Sequence, residues 1–540
     1  MPLTPEHKSI SQKKRTAQFN SIPTEWRLPK DFPQKWINSN DAIASSGILS
    51  AAELSITSIT SARVLRDKML SKELTCKQVT TAFCKRAAVA QQLIGCCTEM
   101  IFDRALERAK ELDEYLEREG KPWGLLHGVP VSVKDSFDIK GVDSTIGWLG
   151  LIGKPAKENM PAIDMLLEMG AVLYVKSNIP QSLMMSDSYN HVFGQSVNAL
   201  NKNLISGGSS GGEGALVGAH ASIIGIGTDI GGSIRIPAEL QGLYGLMPSV
   251  GRTPYESSAK EQEFIVLPTA GPLTTDIESI ELYMHALTSV QPWEKHPRLL
   301  PIPWREDLAR VPEGKLKVAF IEDDGIVRPQ PPVARAVKEM KERFQKAGHE
   351  VIEWDLSAHA EGTKLWDKAV KADGGLKCRN YCDLIGEPLI EGMVVGKPED
   401  ELSAVQRQEL GEIKLEFEKA HLKRWNQSGI DGLIMPVMPW VNYPPKAWVK
   451  SNQWLGYSAL WNFLNYASLV VPVTKVDPRI DTLETSGWSS HQPRNESDEF
   501  NHQQYNPELV KDMPVGLQII TGRFGEEKAV GIAKLIETFK

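Results

Sequence analysis

The most informative part of this chain lies in two glycine-rich stretches, Gly207-Gly-Ser-Ser-Gly-Gly-Glu-Gly214 and, after an apolar run, Thr228-Asp-Ile-Gly-Gly-Ser-Ile-Arg-Ile-Pro237. Glycines at this density permit positive φ values and let the backbone approach a ligand closely. Consecutive loop N–H groups can also converge on an oxygen that carries negative charge. Neither stretch contains the GxxxxGK[ST] pattern of a phosphate loop or the GxGxxG pattern of a dinucleotide-binding turn. The two stretches therefore predict a backbone-lined site that does not bind nucleotides.

The first stretch also matches the GxSxG pattern of a nucleophile elbow, with Ser209 at its centre. That pattern requires a strand that runs directly into the turn, and residues 201–206 offer only the apolar pair Leu204-Ile205. His220 lies in an apolar run, where a histidine is more often part of the core than a catalytic base. A Ser209 nucleophile in an α/β-hydrolase therefore remains an alternative interpretation.

Strand and helix patterns alternate on both sides of these stretches. Residues 129–133 read as a strand that delivers Lys134, and a helix near 162–169 precedes a strand at 171–175. The alternation returns between 317 and 354, and a strand at 515–520 precedes a helix near 525–539. This order predicts an α/β protein with helices packed on a central sheet.

The chain divides by its patterns into an N-terminal arm at 1–46 and one large domain at 47–540. Pro23, Pro29 and Pro33 predict that the arm forms no helix and either wraps around the domain or frays. Three amphipathic helices are predicted between 60 and 120. The remaining divisions are a core at about 120–275, a less recognisable segment at about 286–430 and a part that completes the sheet at about 431–540.

Composition excludes several classes of protein. The 540 residues are 41% hydrophobic and 24% charged, which is typical of a packed globular protein. The net charge is 61 − 68 = −7, without a basic stripe, so we expect no nucleic-acid partner. The six cysteines favour free thiols in a reducing compartment. The sequence shows neither a signal peptide nor a membrane span, and we expect a cytoplasmic protein without a membrane partner.

Several motifs together carry a family resemblance. GGSSGGEGALVG, GTDIGGSIRIPA and GLYGLMPSVGRTP, with PVSVKD upstream and PVGLQIITGRFGEE near the end, resemble the amidase signature family. The N-terminal helices and LPIPWR at 300–305 resemble its fungal acetamidase branch. The resemblance implies a single α/β catalytic domain with a central mixed sheet covered by helices. It also implies hydrolysis of a carboxylic amide to the acid and ammonia without a cofactor.

The resemblance implies a catalytic triad of two serines and a lysine. The nucleophile matches Ser233, the bridging serine in a cis peptide matches Ser209, and the lysine matches Lys134. A serine hydroxyl needs an adjacent base, and a lysine serves as one only when burial lowers its pKa enough to leave it neutral. The backbone N–H groups of Ile230, Gly231, Gly232 and Ser233 are predicted to form an oxyanion hole.

Other residues receive supporting roles. We expect Asp229 and Arg235 to support the glycine turn, and Leu183 matches a position that lines the acyl site in the family. Met247 departs from the family pattern, in which a basic residue is usual, so we assign no charged role there. Cys378 and Cys382 lack partner ligands for zinc and are predicted to be buried thiols on one helix face, so no metal site is expected.

The substrate is less well determined. We expect a small neutral amide, aliphatic or aromatic, such as acetamide. The tryptophans near 440–461 are equally compatible with an aromatic acyl site and with core packing. Alternatives are the catalytic subunit of a tRNA-dependent amidotransferase, a fatty-amide hydrolase, and a binding protein without activity on the same scaffold. A homodimer is also possible.

Overall fold

The computed structural model describes residues 2–256, 265–450, 454–484 and 487–539, so that 257–264, inside the predicted core, lie outside the described residues. Within these ranges the chain forms helices α1 (Pro5–Asn20), α2 (Ser39–Ser45), α3 (Ala51–Thr57), α4 (Ala62–Leu70), α5 (Cys76–Ile94), α6 (Phe102–Glu119), α7 (Pro161–Glu168), α8 (Gly211–Gly218), α9 (Arg235–Gln241), α10 (Ile277–Ser289), α11 (Pro331–Lys346), α12 (His359–Val370), α13 (Leu376–Asp383), α14 (Ala404–Ser428), α15 (Gly456–Phe463), α16 (Glu496–Gln504) and α17 (Glu526–Glu537).

The strands are β1 (Cys97–Met100), β2 (Pro130–Lys134), β3 (Val172–Ser177), β4 (Tyr189–Asn190), β5 (Gly194–Gln195), β6 (Ile224–Asp229), β7 (Tyr244–Met247), β8 (Thr269–Thr274), β9 (Lys317–Phe320), β10 (Glu350–Glu353), β11 (Gly432–Pro436), β12 (Ala467–Lys475) and β13 (Pro514–Gly522). Eleven of them form one sheet among the described residues, in the order β1-β3-β2-β6-β8-β7-β12-β13-β11-β9-β10. The sheet is mixed, since β2 runs parallel to β3 and β6 while β8 runs antiparallel to β6. The predicted α/β fold with a central mixed sheet is confirmed.

The strand pairing explains where the predicted site lies. β2 and β6 are parallel neighbours, and Val133 pairs with Ile226. The carboxyl ends of adjacent parallel strands meet at one edge of a sheet, which is where open α/β sheets place their ligands. β2 ends at Lys134 and β6 ends at Asp229, so the sheet itself brings these two motifs together.

The helices predicted between 60 and 120 are confirmed as α4, α5 and α6. Thr75 and Gln78 form the capping box of α5, and Gly120 ends α6 in the left-handed conformation that glycine favours. α5, α6 and α8 pack on the half of the sheet that contains β2 and β3, and α9, α11 and α17 pack on the half that contains β12 and β13. No helix in the described ranges is long and apolar enough to cross a membrane.

The expectation that residues 1–46 contain no helix is wrong. α1 begins at Pro5, in the first-turn position where the missing N–H costs nothing, and Thr4 caps it by accepting a hydrogen bond from the His7 N–H. The three prolines all follow the helix. Lys14 fixes α1 to the domain through ion pairs with Glu99 at 2.5 Å and Asp143 at 2.9 Å. The boundary at 46/47 stays a prediction.

Candidate active site

Lys134 is the buried centre of the site. Its side chain is fully buried at the end of β2. Nζ donates hydrogen bonds to Ser209 Oγ at 2.7 Å and to Thr228 Oγ1 at 2.8 Å. Burial lowers the pKa of Lys134 to about 7, although the negative charges of Asp229 and Glu213 act to raise it. The amine can therefore lose its proton near neutral pH and accept one from a neighbouring hydroxyl.

Ser209 connects this lysine to the second glycine-rich stretch. The Gly208–Ser209 peptide bond is cis, and Ser209 is 2% exposed. α8 begins two residues later, and the Ser210 N–H donates to the Ser233 carbonyl at 3.1 Å. This backbone bond joins the two stretches whose serines the sequence singled out. Both Ser209 and Ser233 line the same pocket, and Ser233 is the more exposed of the two.

The turn before Ser233 is held from inside by Asp229. Its carboxylate accepts from the Gly232 N–H at 2.7 Å and from the Ile234 N–H at 3.0 Å. The Gly232 N–H is therefore already hydrogen-bonded to the Asp229 carboxylate. Of the four predicted oxyanion donors, those of Ile230, Gly231 and Ser233 remain for a bound oxygen.

Arg235 in turn holds Asp229. The guanidinium donates to both carboxylate oxygens, at 3.1 and 3.0 Å, and also to Ser458 O, Gln518 Oε1 and Asn462 Oδ1. Both partners of this ion pair are fully buried. Burial alone would raise the pKa of Asp229, but the Arg235 charge and hydrogen bonds hold it at about 2. The carboxylate is therefore ionised over the whole working pH range.

Two further contacts on the turn were not predicted. Trp366, on α12, donates its indole Nε1–H to the Ile230 carbonyl at 2.7 Å. Ser458, on α15, donates to the Gly231 carbonyl at 2.5 Å. A Cβ at Gly231 would stand 2.5 Å from the Trp366 ring, so the close packing needs glycine there. No sequence motif indicates either residue, because both come from segments far along the chain from the glycine-rich stretches.

The pocket beside Ser233 encloses about 120 Å³. Leu183 lines it from the turn after β3, as the resemblance implied, with a φ of 65°. The opposite wall comes from residues 370–396, inside the segment that the sequence left less recognisable. Most of the lining is apolar: Ile146, Leu183, Met184, Ile230, Tyr255, Pro268, Val370, Tyr381, Val394 and Val395.

The prediction that Cys378 and Cys382 are buried thiols is wrong. Both are half-buried on α13, and Cys378 lines the pocket and donates to Ser182 Oγ at 3.3 Å. The i, i+4 spacing places both on one helix face, as expected, and that face packs against the Ile146, Trp148 and Ile179 cluster at the border of the pocket. Among the described residues no group of His, Cys, Asp and Glu could hold a metal ion.

The tryptophans near 440–461 pack in the core. Trp440, Trp448 and Trp461 are buried, and the Trp448 indole N–H donates to Asp187 at 2.6 Å. None of these three rings lines the pocket beside Ser233. Of the two predicted interpretations, core packing applies to them. Residues 451–453 of this stretch lie outside the described residues.

The geometry around Ser209 does not fit a nucleophile elbow. Ile205 makes only an isolated bridge to Val197, so no strand runs into the turn. Ser209 is buried against Lys134, whereas an elbow exposes its serine. His220 lies at the far end of α8, where burial lowers its pKa to about 4.

Comparisons with known proteins show which family the chain resembles over nearly its whole length. A family model described as Amidase matches residues 78–530. An acetamidase of Emericella nidulans is 36% identical, with 99% of this chain and 98% of that protein aligned. An acetamidase of Aspergillus oryzae is 35% identical over 98% of this chain and 97% of its own length.

Solved structures show the same fold. A fatty acid amide hydrolase superposes with a TM-score of 0.92 at 30% identity, covering 99% of this chain and 96% of that chain. A bacterial aryl acylamidase superposes with a TM-score of 0.72 at 20% identity, covering 89% of this chain and 96% of that chain, and this likeness shows the fold alone.

Proposed function

Because the chain belongs to the amidase family and is therefore a hydrolase of amide carbon–nitrogen bonds, we propose that it acts through an acyl-enzyme on Ser233, with Ser209 and Lys134 as its proton relay. The observation that carries the proposal is the 2.7 Å contact between Lys134 Nζ and Ser209 Oγ in a fully buried setting. A neutral lysine there can take a proton from Ser209, which in turn takes one from Ser233.

In the first half of the reaction, Ser233 Oγ attacks the amide carbonyl carbon. Its proton moves to Ser209 Oγ as the Ser209 proton moves to Lys134 Nζ. The tetrahedral intermediate collapses when the amide nitrogen takes a proton back through Ser209 and leaves as ammonia or an amine. Water then attacks the acyl carbon and gives its proton through Ser209 to Lys134, and the proton returns through Ser209 to Ser233 Oγ as the acid is released.

The oxyanion of the intermediate is stabilised by backbone donors. We assign the N–H groups of Ile230, Gly231 and Ser233 to this role, since Asp229 takes that of Gly232. The hydrogen bonds from Trp366 and Ser458 fix the turn before substrate arrives. Donors held in place in this way stabilise developing charge without a reorganisation cost at the moment of reaction.

The pocket lining supports an uncharged acyl group. Apolar side chains predominate around Ser233, with Asp373 and Lys377 as the charged side chains of the lining, and such a surface favours aliphatic or aromatic acyl groups. We therefore propose neutral carboxylic amides as the substrate class, with small amides such as acetamide within it. Rates of ammonia release from acetamide, longer aliphatic amides, benzamide and indole acetamide would rank the acyl groups that this pocket accepts.

The deciding experiment is Ser233→Ala, assayed together with a covalent trap. We expect amide hydrolysis to disappear while the thermal midpoint stays within a few degrees, because the substitution removes one oxygen from a half-buried turn position. Mass spectrometry of the quenched wild-type enzyme should place the acyl group on the peptide that contains Ser233. Retained turnover in the variant, or an acyl group on Ser209, would refute the assignment.

Hydrolysis of long-chain amides is a second candidate. It is favoured by the apolar side chains Val370, Val394 and Val395 in the pocket wall and by the likeness to a fatty acid amide hydrolase. A long-chain primary amide added to the same panel tests it. A kcat/KM that keeps rising with chain length supports this candidate, whereas a maximum at two to four carbons excludes it.

A further inference from the structure

A second ionisable side chain is buried next to the catalytic lysine. Glu213 lies on α8, four residues after Ser209, and is fully buried. Its charge acts on Lys134, and that of Lys134 acts on it. The relay proposed above uses no carboxyl group, so Glu213 requires its own explanation.

The Glu213 carboxyl begins a chain of hydroxyl groups. Ser132 Oγ lies within hydrogen-bond distance of Glu213 Oε2. Ser132 Oγ is also 2.8 Å from Ser222 Oγ, which is 3.0 Å from the Ile224 carbonyl oxygen. Taken as hydrogen bonds, these three oxygen-to-oxygen contacts need one hydrogen each. The two serines supply two hydrogens, so the third must come from the carboxyl group.

A protonated carboxyl completes the chain in one direction. Glu213 Oε2–H donates to Ser132, Ser132 donates to Ser222, and Ser222 donates to the Ile224 carbonyl. With an ionised carboxylate, Ser132 must donate to Glu213, and one of the other two contacts would bring two oxygens together without a hydrogen. The arrangement of the hydroxyl groups thus favours the neutral acid.

The sheet provides a fitted space for this group. Gly225, on β6, lies directly beneath the carboxyl, and a Cβ at that position would collide with Glu213 Oε2 and would stand 3.1 Å from Val217 Cγ2. Only a glycine accommodates the carboxyl at this point. The side chain therefore has one defined position beside β2, the strand that carries Lys134.

We propose that Glu213 is a positioning residue for the base: it holds a proton on the Ser132–Ser222 chain and so keeps negative charge away from Lys134. This rests on the proposed role of Lys134. An ionised Glu213 would raise the pKa of Lys134, and the ammonium form of lysine has no lone pair with which to accept a proton. The neutral acid leaves the lysine free to act as a base near neutral pH.

The electrostatic surroundings agree with this. Burial raises the pKa of Glu213 to about 7, although the charge of Lys134 acts to lower it. Cys97 on β1 and Tyr174 on β3 also face the carboxyl, and burial raises the pKa of each well above its usual range, so both are neutral. Asp229 on β6 acts on Lys134 and is ionised throughout.

Infrared difference spectroscopy tests the protonation state without any assay of activity. At pH 7 the wild-type enzyme should show the carbonyl stretch of a hydrogen-bonded carboxylic acid, which Glu213→Gln removes. Glu239→Gln is the matched control, because Glu239 is also fully buried and its oxygens have no hydrogen-bond partner among the described residues. Glu239→Gln should remove a different infrared carbonyl component, that of a carboxylic acid without a hydrogen bond. Absence of any component assigned to Glu213 overturns the proposal.

A double-mutant cycle tests the link to Lys134. In Ser222→Ala, Ser132 keeps Glu213 as its one side-chain acceptor among the described residues and donates to it, so that Glu213 ionises more readily. The acidic limb of kcat/KM should move upward by about one pH unit, since a nearby carboxylate raises the pKa of an amine. In the Glu213→Gln background the same substitution should leave the limb in place, because an amide cannot ionise.

The outcomes separate the two proposals. An equal shift of the limb in both backgrounds, or no shift in either, overturns the role of Glu213. If Lys134→Ala retains the acidic limb, then the relay itself is wrong, while the infrared band still reports whether Glu213 carries a proton.

Discussion

The indole Nε1–H of Trp366 donates to the carbonyl oxygen of Ile230 at 2.7 Å, so a helix far along the chain directly holds the turn before Ser233. The same ring lies against Gly231, where no Cβ would fit. A carbonyl fixed on one side of a peptide plane fixes the N–H on the other side. The contact therefore sets the direction of the Gly231 N–H, one of the donors that we assign to the oxyanion hole.

This relationship predicts the effect of Trp366→Phe. The phenyl ring keeps most of the packing but cannot donate to Ile230, so the Gly231 N–H should be less well directed. We expect kcat to fall by about 10-fold with a smaller change in KM, because the interaction matters most when charge develops on the substrate oxygen. Steady-state kinetics on the best amide of the panel measures both values.

The matched control is Trp488→Phe. Trp488 is also buried, but its indole nitrogen has no acceptor among the described residues. Trp488→Phe should lower the thermal midpoint about as much as Trp366→Phe does and leave kcat nearly unchanged. A similar loss of kcat in both variants would show that Trp366 acts through stability alone.

The sequence could predict the parts of the site that lie within continuous motifs. Lys134, Ser209 and Ser233 stand in motifs that resemble a family, and parallel pairing of β2 and β6 brings those motifs together. Trp366 and Ser458 could not be found in this way. Each acts on the turn through one hydrogen bond to a backbone carbonyl, and such a contact depends on three-dimensional packing without a recurring local pattern.

The same reasoning applies to the fold. The apolar spacing predicts the helices α4 to α6 and α11, of which α4, α6 and α11 bury one face and α5 is buried over most of its surface. α1 was missed because its residues are mostly polar and few of them are buried. It forms through the cap at Thr4 and is held by ion pairs such as Lys14–Glu99, which a hydrophobic pattern does not reveal.

The pH dependence of activity should follow the titration of Lys134. Burial lowers its pKa to about 7, and only the neutral amine can accept a proton. As pH rises through about 7 the ammonium form is lost, so kcat/KM should rise and reach a plateau. Lys134→Ala should remove this limb and cost several orders of magnitude in rate. A kcat/KM that is flat between pH 5 and 9 in the wild type would contradict the base assignment.

Arg235→Lys should destabilise the protein although it retains the positive charge. A lysine ammonium cannot reproduce the paired hydrogen bonds to Asp229 or reach Gln518 and Asn462 as well. Buried acceptors left without donors should lower the free energy of unfolding by about 3 kcal/mol. Denaturant unfolding measures this loss, and kcat should fall with it because Asp229 holds the turn.

The control for that prediction is Arg335→Lys. Arg335 also pairs with an aspartate, Asp481, but its side chain is 19% exposed and lies far from the turn. Asp481 is buried, but water can reach the Arg335 side and replace part of the lost hydrogen bonds, so we expect a smaller cost than for Arg235→Lys, about 1 to 2 kcal/mol, and an unchanged kcat. Equal losses in the two variants would show that burial of the Asp229 pair is not what makes it important.

Ser209→Ala separates a three-residue relay from direct proton transfer between Ser233 and Lys134. We expect a loss of activity smaller than that of Ser233→Ala, because a water molecule at the vacated hydroxyl position can pass the proton, with poorer geometry. The acidic limb should remain, since Lys134 is still the base and keeps its hydrogen bond to Thr228. Single-turnover kinetics should show that acylation has slowed while the acyl group still forms on Ser233. If Ser209→Ala is as inactive as Ser233→Ala, and the trapped acyl group in the wild type is found on Ser209, then Ser209 is the nucleophile and the relay is wrong.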